Sequence, residues 1–282
     1  MDEKLWKKGE ATPRVVIRQD PGSAETRAAA LAAALLGISA RSCALGGLEH
    51  LAAELRDGAL PVGSVEFVRE AMRVAGVAEP ANMTYPQELG ELLKRSVTLS
   101  TADAARAPGP ARFAKPESTK AFTGFVHDPS VPEAELGEHE REQRAALLKM
   151  EPNAPVWIGS VVEFVAEWRA YMHGSRVVGL ERYDPDGPDG VEEPRSIWVE
   201  QAARAWLDAP GAPAACAIDV GRLADGSLAL VEVNDAWALG LYGRSVDAKD
   251  YLAMLGARWS QILAEPRLTN QAGGGPPKIK PF

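Results

Sequence analysis

The segment AIDVGRLADGSLALVEVND, residues 217–235, constrains the fold more than any other part of the sequence. Two apolar, β-prone stretches, Ala217–Val220 and Leu228–Val233, flank the turn-forming pair Asp225-Gly226. A turn pair between two such stretches is typical of a β-hairpin. The pattern therefore predicts two antiparallel strands joined by a tight turn.

Three polar side chains lie near the ends of these strands. In an antiparallel pair Asp219 would lie near the level of Glu232 and Asn234. Glu232 and Asn234 are two positions apart, so strand alternation points them to the same face. Two carboxylates and an amide oxygen are hard donors that suit Mg²⁺. A hairpin with one solvated polar face and no ion would give the same pattern, and it stays open here.

Composition limits the classes of protein that the chain can belong to. With 282 residues, 46% of them hydrophobic and 25% charged, the chain can bury a core and divide into two or three lobes. Its net charge of −8 argues against a nucleic-acid surface built on bulk positive charge. Any binding of phosphate would have to be local, and we expect no nucleic-acid partner.

The cysteines, histidines and apolar runs indicate a cytoplasmic protein. Cys43 and Cys216 are far apart and have apolar neighbours, as buried thiols of a reducing compartment do. The four histidines have no zinc-ligand spacing. The start of the sequence lacks the apolar core of a signal peptide, and no stretch approaches 18 uncharged apolar residues. We expect a cytoplasmic location and no membrane partner.

The first third of the chain alternates between strand and helix signals. A short strand at Arg14–Arg18 precedes an alanine-rich helix at 23–36, and a second apolar stretch near residues 43–45 precedes a helix at 48–55. Ser64 can cap a further helix. This helix is expected at Ser64–Gly76, and another is expected at Tyr85–Arg95. This pattern indicates a small α/β lobe that ends at the Ala-, Pro- and Gly-rich segment 104–110.

A second hairpin carries two of the few lysines in this part of the chain. Strands are expected at Arg112–Pro116 and at 120–126, with Lys115 and Lys120 on the two sides of the turn. An ammonium group can act as a point charge on phosphate oxygens, and the backbone N–H groups of Thr123-Gly124 can approach the same anion. A solvated hairpin with incidental lysines is the alternative.

A third pair of strands carries a candidate anion clamp. The turn at residues 173–175 separates two strands, and alternation puts Glu167, Arg169 and Tyr171 on one face. The planar fork of Arg169 suits phosphate or carboxylate. A salt bridge from Arg169 to Glu167 or Glu181 is the alternative.

The strand Pro155–Val162 lies between the two preceding hairpins in the sequence. Its Trp157 can pack in the core or lie beside a flat aromatic ligand, and the core is the commoner outcome. Helices are expected at Ser196–Asp208 and after Asp247, which can cap the second one.

The order of these features is similar to that of ATP-grasp enzymes. A lysine-bearing hairpin, a hinge strand, an arginine strand pair and an acid/acid/amide hairpin follow one another over about residues 85–260. The chain most resembles the clade named for one arginine and two lysines. These would be Lys115, Lys120 and Arg169, in the strings FAKPESTKAFTG and EWRAYMHG. The string DVGRLADGSLALVEVNDAWALGLYG also resembles the metal-binding end of ribosomal-protein glutamate ligases, with Asp235-Ala236-Trp237 in place of their Asn-Pro-Gly type continuation.

This resemblance implies an α/β (α+β) fold in which two subdomains hold ATP between them. The expected division is an N-terminal α/β lobe at 12–106, an ATP-grasp catalytic region at 107–266 and a Gly- and Pro-rich tail at 267–282.

The resemblance also implies a role for each site residue. Lys115 and Lys120 would hold phosphate oxygens, the Thr123-Gly124 loop would cover them, and the backbone of Trp157-Ile158 would meet the adenine edge. Glu167 is expected among the residues that bind the nucleotide. The expected Mg²⁺ ligands are Asp219, Glu232 and Asn234, and the expected catalytic residues are Arg169 and Lys120.

The activity implied is an ATP- and Mg²⁺-dependent carboxylate–amine ligase that proceeds through an acyl phosphate and releases ADP. Its partners would be a small-molecule or peptide carboxylate and an amine. A homodimer stays open. A phosphotransferase that uses the same nucleotide site and a non-catalytic nucleotide-binding module are the alternatives, because the motifs describe ATP rather than the acceptor.

Overall fold

The computed structural model describes residues 12–118, 121–184 and 187–265. The strands within these ranges are β1 (Val15–Gln19), β2 (Ser39–Cys43), β3 (Leu60–Val62), β4 (Val97–Thr101), β5 (Arg112–Pro116), β6 (Phe125–His127), β7 (Pro155–Gly159), β8 (Phe164–His173), β9 (Arg176–Arg182), β10 (Ala215–Leu223) and β11 (Leu228–Asp235). The helices are α1 (Ala24–Leu36), α2 (Ala52–Arg56), α3 (Val65–Ala75), α4 (Ala102–Arg106), α5 (Glu138–Lys149), α6 (Ser196–Leu207) and α7 (Ala248–Ala264).

The N-terminal part is a parallel sheet with strand order β2-β1-β3. Helix α3 begins where the Ser64 hydroxyl accepts a hydrogen bond from the Phe67 N–H. It ends at Gly76, which takes the left-handed conformation that favours glycine. These two signals are local in the sequence, and the helix has the predicted bounds.

A second sheet is antiparallel, with strand order β4-β7-β5-β6. Strand β7 is central: Trp157 pairs with Leu99 of β4 on one side and with Lys115 of β5 on the other. Strand β4 precedes the predicted boundary between residues 106 and 107, yet it pairs with β7. Strand β4 therefore belongs to the same sheet as strands of the predicted catalytic region, 107–266, although it lies before that region in the sequence. The three-part division stays a proposal.

The third sheet is antiparallel with strand order β11-β10-β8-β9, and an apolar cluster packs on each of its faces. Tyr171 and Ala217 pack with the N-terminal part and α7, whereas Trp168 and Ile218 pack on the opposite face. Successive side chains of a strand point to opposite faces of its sheet, so odd- and even-numbered residues of these strands pack on different sides. A bulge lies between Asp219 and Val220, beside the polar end of the hairpin.

Several local predictions differ from the structure in extent. The strand expected at residues 120–126 is β6, Phe125–His127, and the one expected near residues 43–45 is β2, Ser39–Cys43. The helix expected at residues 48–55 is divided between a 3₁₀ turn, Leu45–Leu51, and α2. The helix expected at Tyr85–Arg95 is a 3₁₀ segment, Gln87–Leu93, with Gly90 in its middle. Glycine weakens an α-helix at such a position.

Among the helices of the described residues, none has both the length and the apolar character needed to cross a lipid bilayer.

Candidate active site

The three predicted oxygen donors come together on the β10–β11 pair. Asp219 lies directly opposite Glu232 in the strand register. The amide nitrogen of Asn234 donates hydrogen bonds to Asp219 Oδ2 at 3.0 Å and to Glu232 Oε1 at 3.1 Å. We call Asp219, Glu232 and Asn234 the central cluster.

Arg169 lies opposite Asp219 on the neighbouring strand β8. Its Nε and Nη2 atoms donate to the two carboxylate oxygens of Asp219 at 2.8 and 2.7 Å. Tyr242 and Tyr183 lie on the guanidinium, with ring centroids 4.9 and 5.7 Å from Cζ. The salt bridge of Arg169 is therefore with Asp219, rather than with Glu167 or Glu181 as the alternative proposed.

Lys115 reaches the central cluster from the second sheet. Its Nζ atom donates to Glu232 Oε2. Burial alone raises the pKa of the Glu232 carboxyl. The charge and hydrogen bond of Lys115, together with the Asn234 hydrogen bond and the charge of Arg169, outweigh burial and hold that pKa below its ordinary value. This ion pair joins β5 to β11, and thus one sheet to the other.

Asp219 is the most deeply buried member of the cluster, with 1% of its surface exposed. Burial raises the pKa of its carboxyl, and the bidentate contact with Arg169 opposes that rise. A carboxylate at this depth depends on its cation, because desolvation disfavours the charged form.

A cleft of about 810 Å³ opens on one side of the cluster, and we call it the larger cleft. Its lining combines polar residues with aromatic rings, which suits a molecule with a charged end and a flat end. The predicted site residues that line it are Lys115, Thr123, Gly124, Glu167 and Glu232. The rings are those of Tyr85, Phe113, Phe122, Phe125, Phe164 and Tyr183.

Several of these residues are held in place by close contacts. A Cβ atom at Gly124 would lie 2.8 Å from the Phe113 ring, so only glycine fits there without a shift. The N–H of Thr123 donates to the side chain of Gln143 at 2.7 Å. Tyr183 donates to Glu167 at 2.5 Å, and burial raises the pKa of the Glu167 carboxyl.

The structure places Trp157 and Ile158 within the second sheet. Both belong to the central strand β7, which has neighbouring strands on both sides. Neither lines the larger cleft, whereas the segment that follows them, Ser160–Glu163, does. The Trp157 ring instead packs edge to face against Tyr85, with centroids 5.0 Å apart. Lys120 lies outside the described residues.

A second cleft, of about 460 Å³, lies beside the same cluster, and we call it the smaller cleft. Arg169 and Asn234 line it, whereas Lys115 and Glu232 line the larger one. A molecule in the larger cleft would thus meet Glu232, and one in the smaller cleft would meet Asn234, whereas Asp219 lies buried between the two. The other walls of the smaller cleft come from α3, residues 79–84, residues 117–118 and the segment 233–240.

Sequence reasoning missed several residues of this region. Arg95 lines the larger cleft, donates to the carbonyl oxygens of Leu230 and Val231 at 2.7 and 2.9 Å, and lies 5.3 Å from the Phe164 ring centroid. Arg258 holds Asp235 through two hydrogen bonds of 2.7 Å. Partners so far apart in the chain leave no local signal.

The chemistry of the donors fits Mg²⁺. Within the described residues, no group of three His, Cys, Asp or Glu side chains is arranged to hold a metal ion, so the Asn234 amide would have to complete the set. Two carboxylates and an amide are oxygen donors of the kind that Mg²⁺ prefers, usually with waters completing the octahedron. Arg169 and Lys115 now hold the carboxylates that an ion would share.

Comparison with known proteins identifies the family. The family model that matches residues 92–254 describes an ATP-grasp domain, family 2 of the clade named for one arginine and two lysines. The chain belongs to this ATP-grasp clade. The resemblance noted in the sequence is thereby confirmed.

Solved ATP-grasp structures share the fold. D-cycloserine synthetase DcsG has a TM-score of 0.53 and 18% identity, over 87% of this chain and 99% of that one. An ADP complex of N5-carboxyaminoimidazole ribonucleotide synthetase has a TM-score of 0.56 and 13% identity, over 89% and 78%. D-alanine–D-alanine ligase from Bacillus anthracis, complexed with ATP, has a TM-score of 0.50 and 12% identity, over 89% and 99%. A comparison with curated proteins gives no match.

These comparisons confirm the α+β ATP-grasp fold and the cofactors. ATP-grasp ligases use ATP and Mg²⁺, as the sequence predicted for this chain. Similarity at these identities shows the fold alone, so the substrates have to be inferred from the site of this chain.

Proposed function

We propose that this ATP-grasp protein is a carboxylate–amine ligase that activates its acid as an acyl phosphate. The observation that supports this most is the position of the central cluster between two clefts. A ligase of this kind needs a triphosphate and an acid to meet at one point. The larger cleft suits the triphosphate, and the smaller cleft suits the acid and the amine.

In this proposal the nucleotide lies in the larger cleft, with its phosphates toward Lys115. The Thr123-Gly124 backbone covers the phosphates, and Lys120 supplies a second ammonium. The aromatic rings pack on the base, and Glu167 binds the nucleotide beside them. We propose that the backbone of Ser160–Glu163, rather than that of Trp157-Ile158, meets the adenine edge, because the sheet already uses the backbone of the latter pair.

The central cluster would hold the magnesium ion. Asp219, Glu232 and Asn234 would supply its protein ligands, and an ion held there would offset negative charge on the γ-phosphoryl group. Arg169, whose fork is fixed by Asp219 and two tyrosine rings, adds a further positive charge at the edge of the smaller cleft.

The reaction follows in two balanced steps. A carboxylate oxygen of the acid attacks the γ-phosphorus, and the bond to the bridging oxygen of ADP breaks. The amine nitrogen then attacks the acyl carbon, the bond from that carbon to the phosphate oxygen breaks, and the leaving phosphate takes up the proton that the nitrogen loses. The acid needs no base in the first step because it is already ionised, whereas Arg169 and Lys115 lower the repulsion between its charge and the phosphates.

The experiment is an ADP assay with Mg²⁺, ATP and pools of candidate acids and amines. ADP formation that depends on both pools supports the ligase. AMP with pyrophosphate would contradict it. ADP that depends on the acid pool alone, with a stable phosphorylated product, would support a phosphotransferase instead.

The variant Glu232→Gln provides the residue test. It removes one charge from the proposed magnesium set, so we expect ADP formation to fall about a hundredfold or more. Asp225→Asn, in the exposed turn of the same hairpin, is the matched control and should retain the activity. Equal activity of Glu232→Gln and wild type would remove Glu232 from the proposed site.

We also propose a cytoplasmic location, which free thiols at Cys43 and Cys216 support. We propose the division at 12–106, 107–266 and 267–282, whose last segment lies outside the described residues, and a homodimer.

A further inference from the structure

One wall of the smaller cleft comes from a part of the chain that the ATP-grasp family model does not match. Arg69, on α3, and Glu79 both line this cleft, and both precede residue 92, where the match begins. These two residues therefore lie outside the stretch that identifies the family.

The guanidinium of Arg69 is held in one orientation by two neighbours. Its Nε and Nη2 atoms donate to the two carboxylate oxygens of Glu79 at 2.8 and 2.7 Å. Its Cζ atom lies 5.9 Å from the centroid of the Trp237 ring, which lines the same cleft. The hydrogen bonds of Glu79 raise the pKa of Arg69, so the group stays cationic. Glu79 fills the Nε side of the guanidinium, so the N–H groups of Nη1 and the second N–H of Nη2 are the donors left, held in one orientation, to bind a planar anion.

Two other charged groups that line this cleft, Arg169 and Asp235, are more fully engaged than Arg69, and Glu117 adds a carboxylate to the lining. Arg169 is paired with Asp219, and 8% of its side chain is exposed. Asp235 is paired with Arg258, and 11% of its side chain is exposed. The side chain of Arg69 is 33% exposed, and its pair with Glu79 is only partly buried. Pairs this exposed are weak, so an incoming carboxylate can share the guanidinium with Glu79.

We propose that Arg69 is the specificity-determining residue for a carboxylate carried by the amine substrate. This inference rests on the proposed function. The substrate class is then a small amine that also bears a carboxylate, of amino-acid size. A cleft of about 460 Å³ accommodates a molecule of that size, and Trp237 supplies one apolar wall.

Calorimetric titration of the full-length protein with L- and D-amino acids and with their carboxamides tests this directly. Each titration is run without nucleotide and again with Mg²⁺ and a non-hydrolysable ATP analogue. We expect at least one amino acid to bind about tenfold more tightly than its carboxamide, because the amide cannot make the charge-assisted hydrogen bonds. Arg69→Gln should abolish that preference, and Arg69→Lys should weaken it.

The matched control is Arg73→Gln, on the same helix. Arg73 pairs with Glu49 and Glu70, its side chain is 60% exposed, and it does not line the cleft. This variant should keep the preference for the carboxylate. The melting temperature of each variant shows whether it is still folded, so that a lost preference for the carboxylate can be assigned to the missing guanidinium.

The outcomes separate this inference from the proposed function. A preference for carboxylates that requires Arg69, together with the absence of ADP formation, would support the inference and contradict the ligase. ADP formation with amines whose carboxamides bind equally well would overturn the inference and keep the ligase. Failure of every amino acid in the panel to bind, or a preference that survives in Arg69→Gln, would also overturn it.

Discussion

At the scale of single residues, the central cluster depends on matching charges. Asp219 is held by Arg169 and Glu232 by Lys115, so each carboxylate has its own cation. Taking a carboxylate out of water costs several kcal/mol, and a partner at hydrogen-bonding distance offsets that cost. Removing one partner leaves a buried charge uncompensated. The resulting loss of folding free energy is larger than the net stabilisation that the ion pair itself provides.

Arg169→Met tests this charge balance. It leaves Asp219 buried without its guanidinium, so we expect the free energy of unfolding to fall by about 3 kcal/mol or more. Urea unfolding measures this value. Arg41→Met removes an arginine from the exposed pair with Glu54 and should change stability little. Equal effects of the two substitutions would contradict the account.

The pH dependence of stability tests the environment of Glu167. Burial raises the pKa of this carboxyl above its unfolded value, so the folded state binds more protons between the two pKa values. The folded protein is therefore destabilised by Glu167 as pH rises through this window. Glu167→Gln removes that contribution, so the stability of the variant relative to wild type should rise as pH increases above about 4.5.

Urea unfolding of both proteins at a series of pH values gives that difference. A relative stability that falls with pH would mean that the pKa of Glu167 is lowered instead.

At the scale of elements, helix α7 fixes the segment that forms part of the smaller cleft. Arg258, on α7, holds Asp235 at the end of β11, and Asp235 in turn accepts the N–H of Trp237 at 3.3 Å. Tyr251, also on α7, donates to the carbonyl oxygen of Leu239 at 2.5 Å. The continuation Asp235-Ala236-Trp237 is thus held by side chains from a helix that packs behind it.

A double-mutant cycle of Arg258→Leu and Asp235→Asn measures this support. Arg258→Leu alone should lower the free energy of unfolding by about 3 kcal/mol, because Asp235 is left buried without its cation. The two substitutions together should cost less than their sum, with a coupling of about 1 kcal/mol or more. In the ligase assay, Arg258→Leu should raise KM for the amine more than KM for ATP. Additive effects would contradict the proposed support.

Elements were easier to predict from the sequence than contacts between them. The turn at Asp225-Gly226 and the cap at Ser64 are signals within a few residues, and both elements form as expected. The contact of Arg95 with Leu230, and that of Asp235 with Arg258, are set by how elements far apart in the chain pack, which no local pattern contains. Trp157 illustrates the same limit: its strand was predicted, but the position of that strand at the centre of a sheet was not.

At the scale of the whole molecule, the N-terminal part and the ATP-grasp region contribute together to the site. Glu25, on α1, accepts the N–H of Leu241 at 3.0 Å, and Tyr171, on β8, accepts the N–H of Tyr242 at 2.9 Å. The segment beside Arg169 is therefore held by both parts of the chain. Binding in the clefts should consequently stabilise the molecule as a whole.

Thermal unfolding with and without nucleotide measures this coupling. A ligand that binds only the folded state stabilises it by about 2.7 kcal/mol at a hundred times its dissociation constant. We expect ATP with Mg²⁺ to raise the melting temperature, and Lys115→Ala to lose most of that rise at the same concentrations. Lys94→Ala, a lysine outside both clefts, should keep it. An equal rise in Lys115→Ala would exclude Lys115 from the phosphate contacts.

A crystal structure with a non-hydrolysable ATP analogue and Mg²⁺ tests the central claim most directly. The account predicts the base among the aromatic rings of the larger cleft, the γ-phosphate beside Lys115, and the ion on Asp219, Glu232 and Asn234. A nucleotide bound away from this cleft, or an ion held by other residues while the central cluster keeps its present ion pairs, would contradict it.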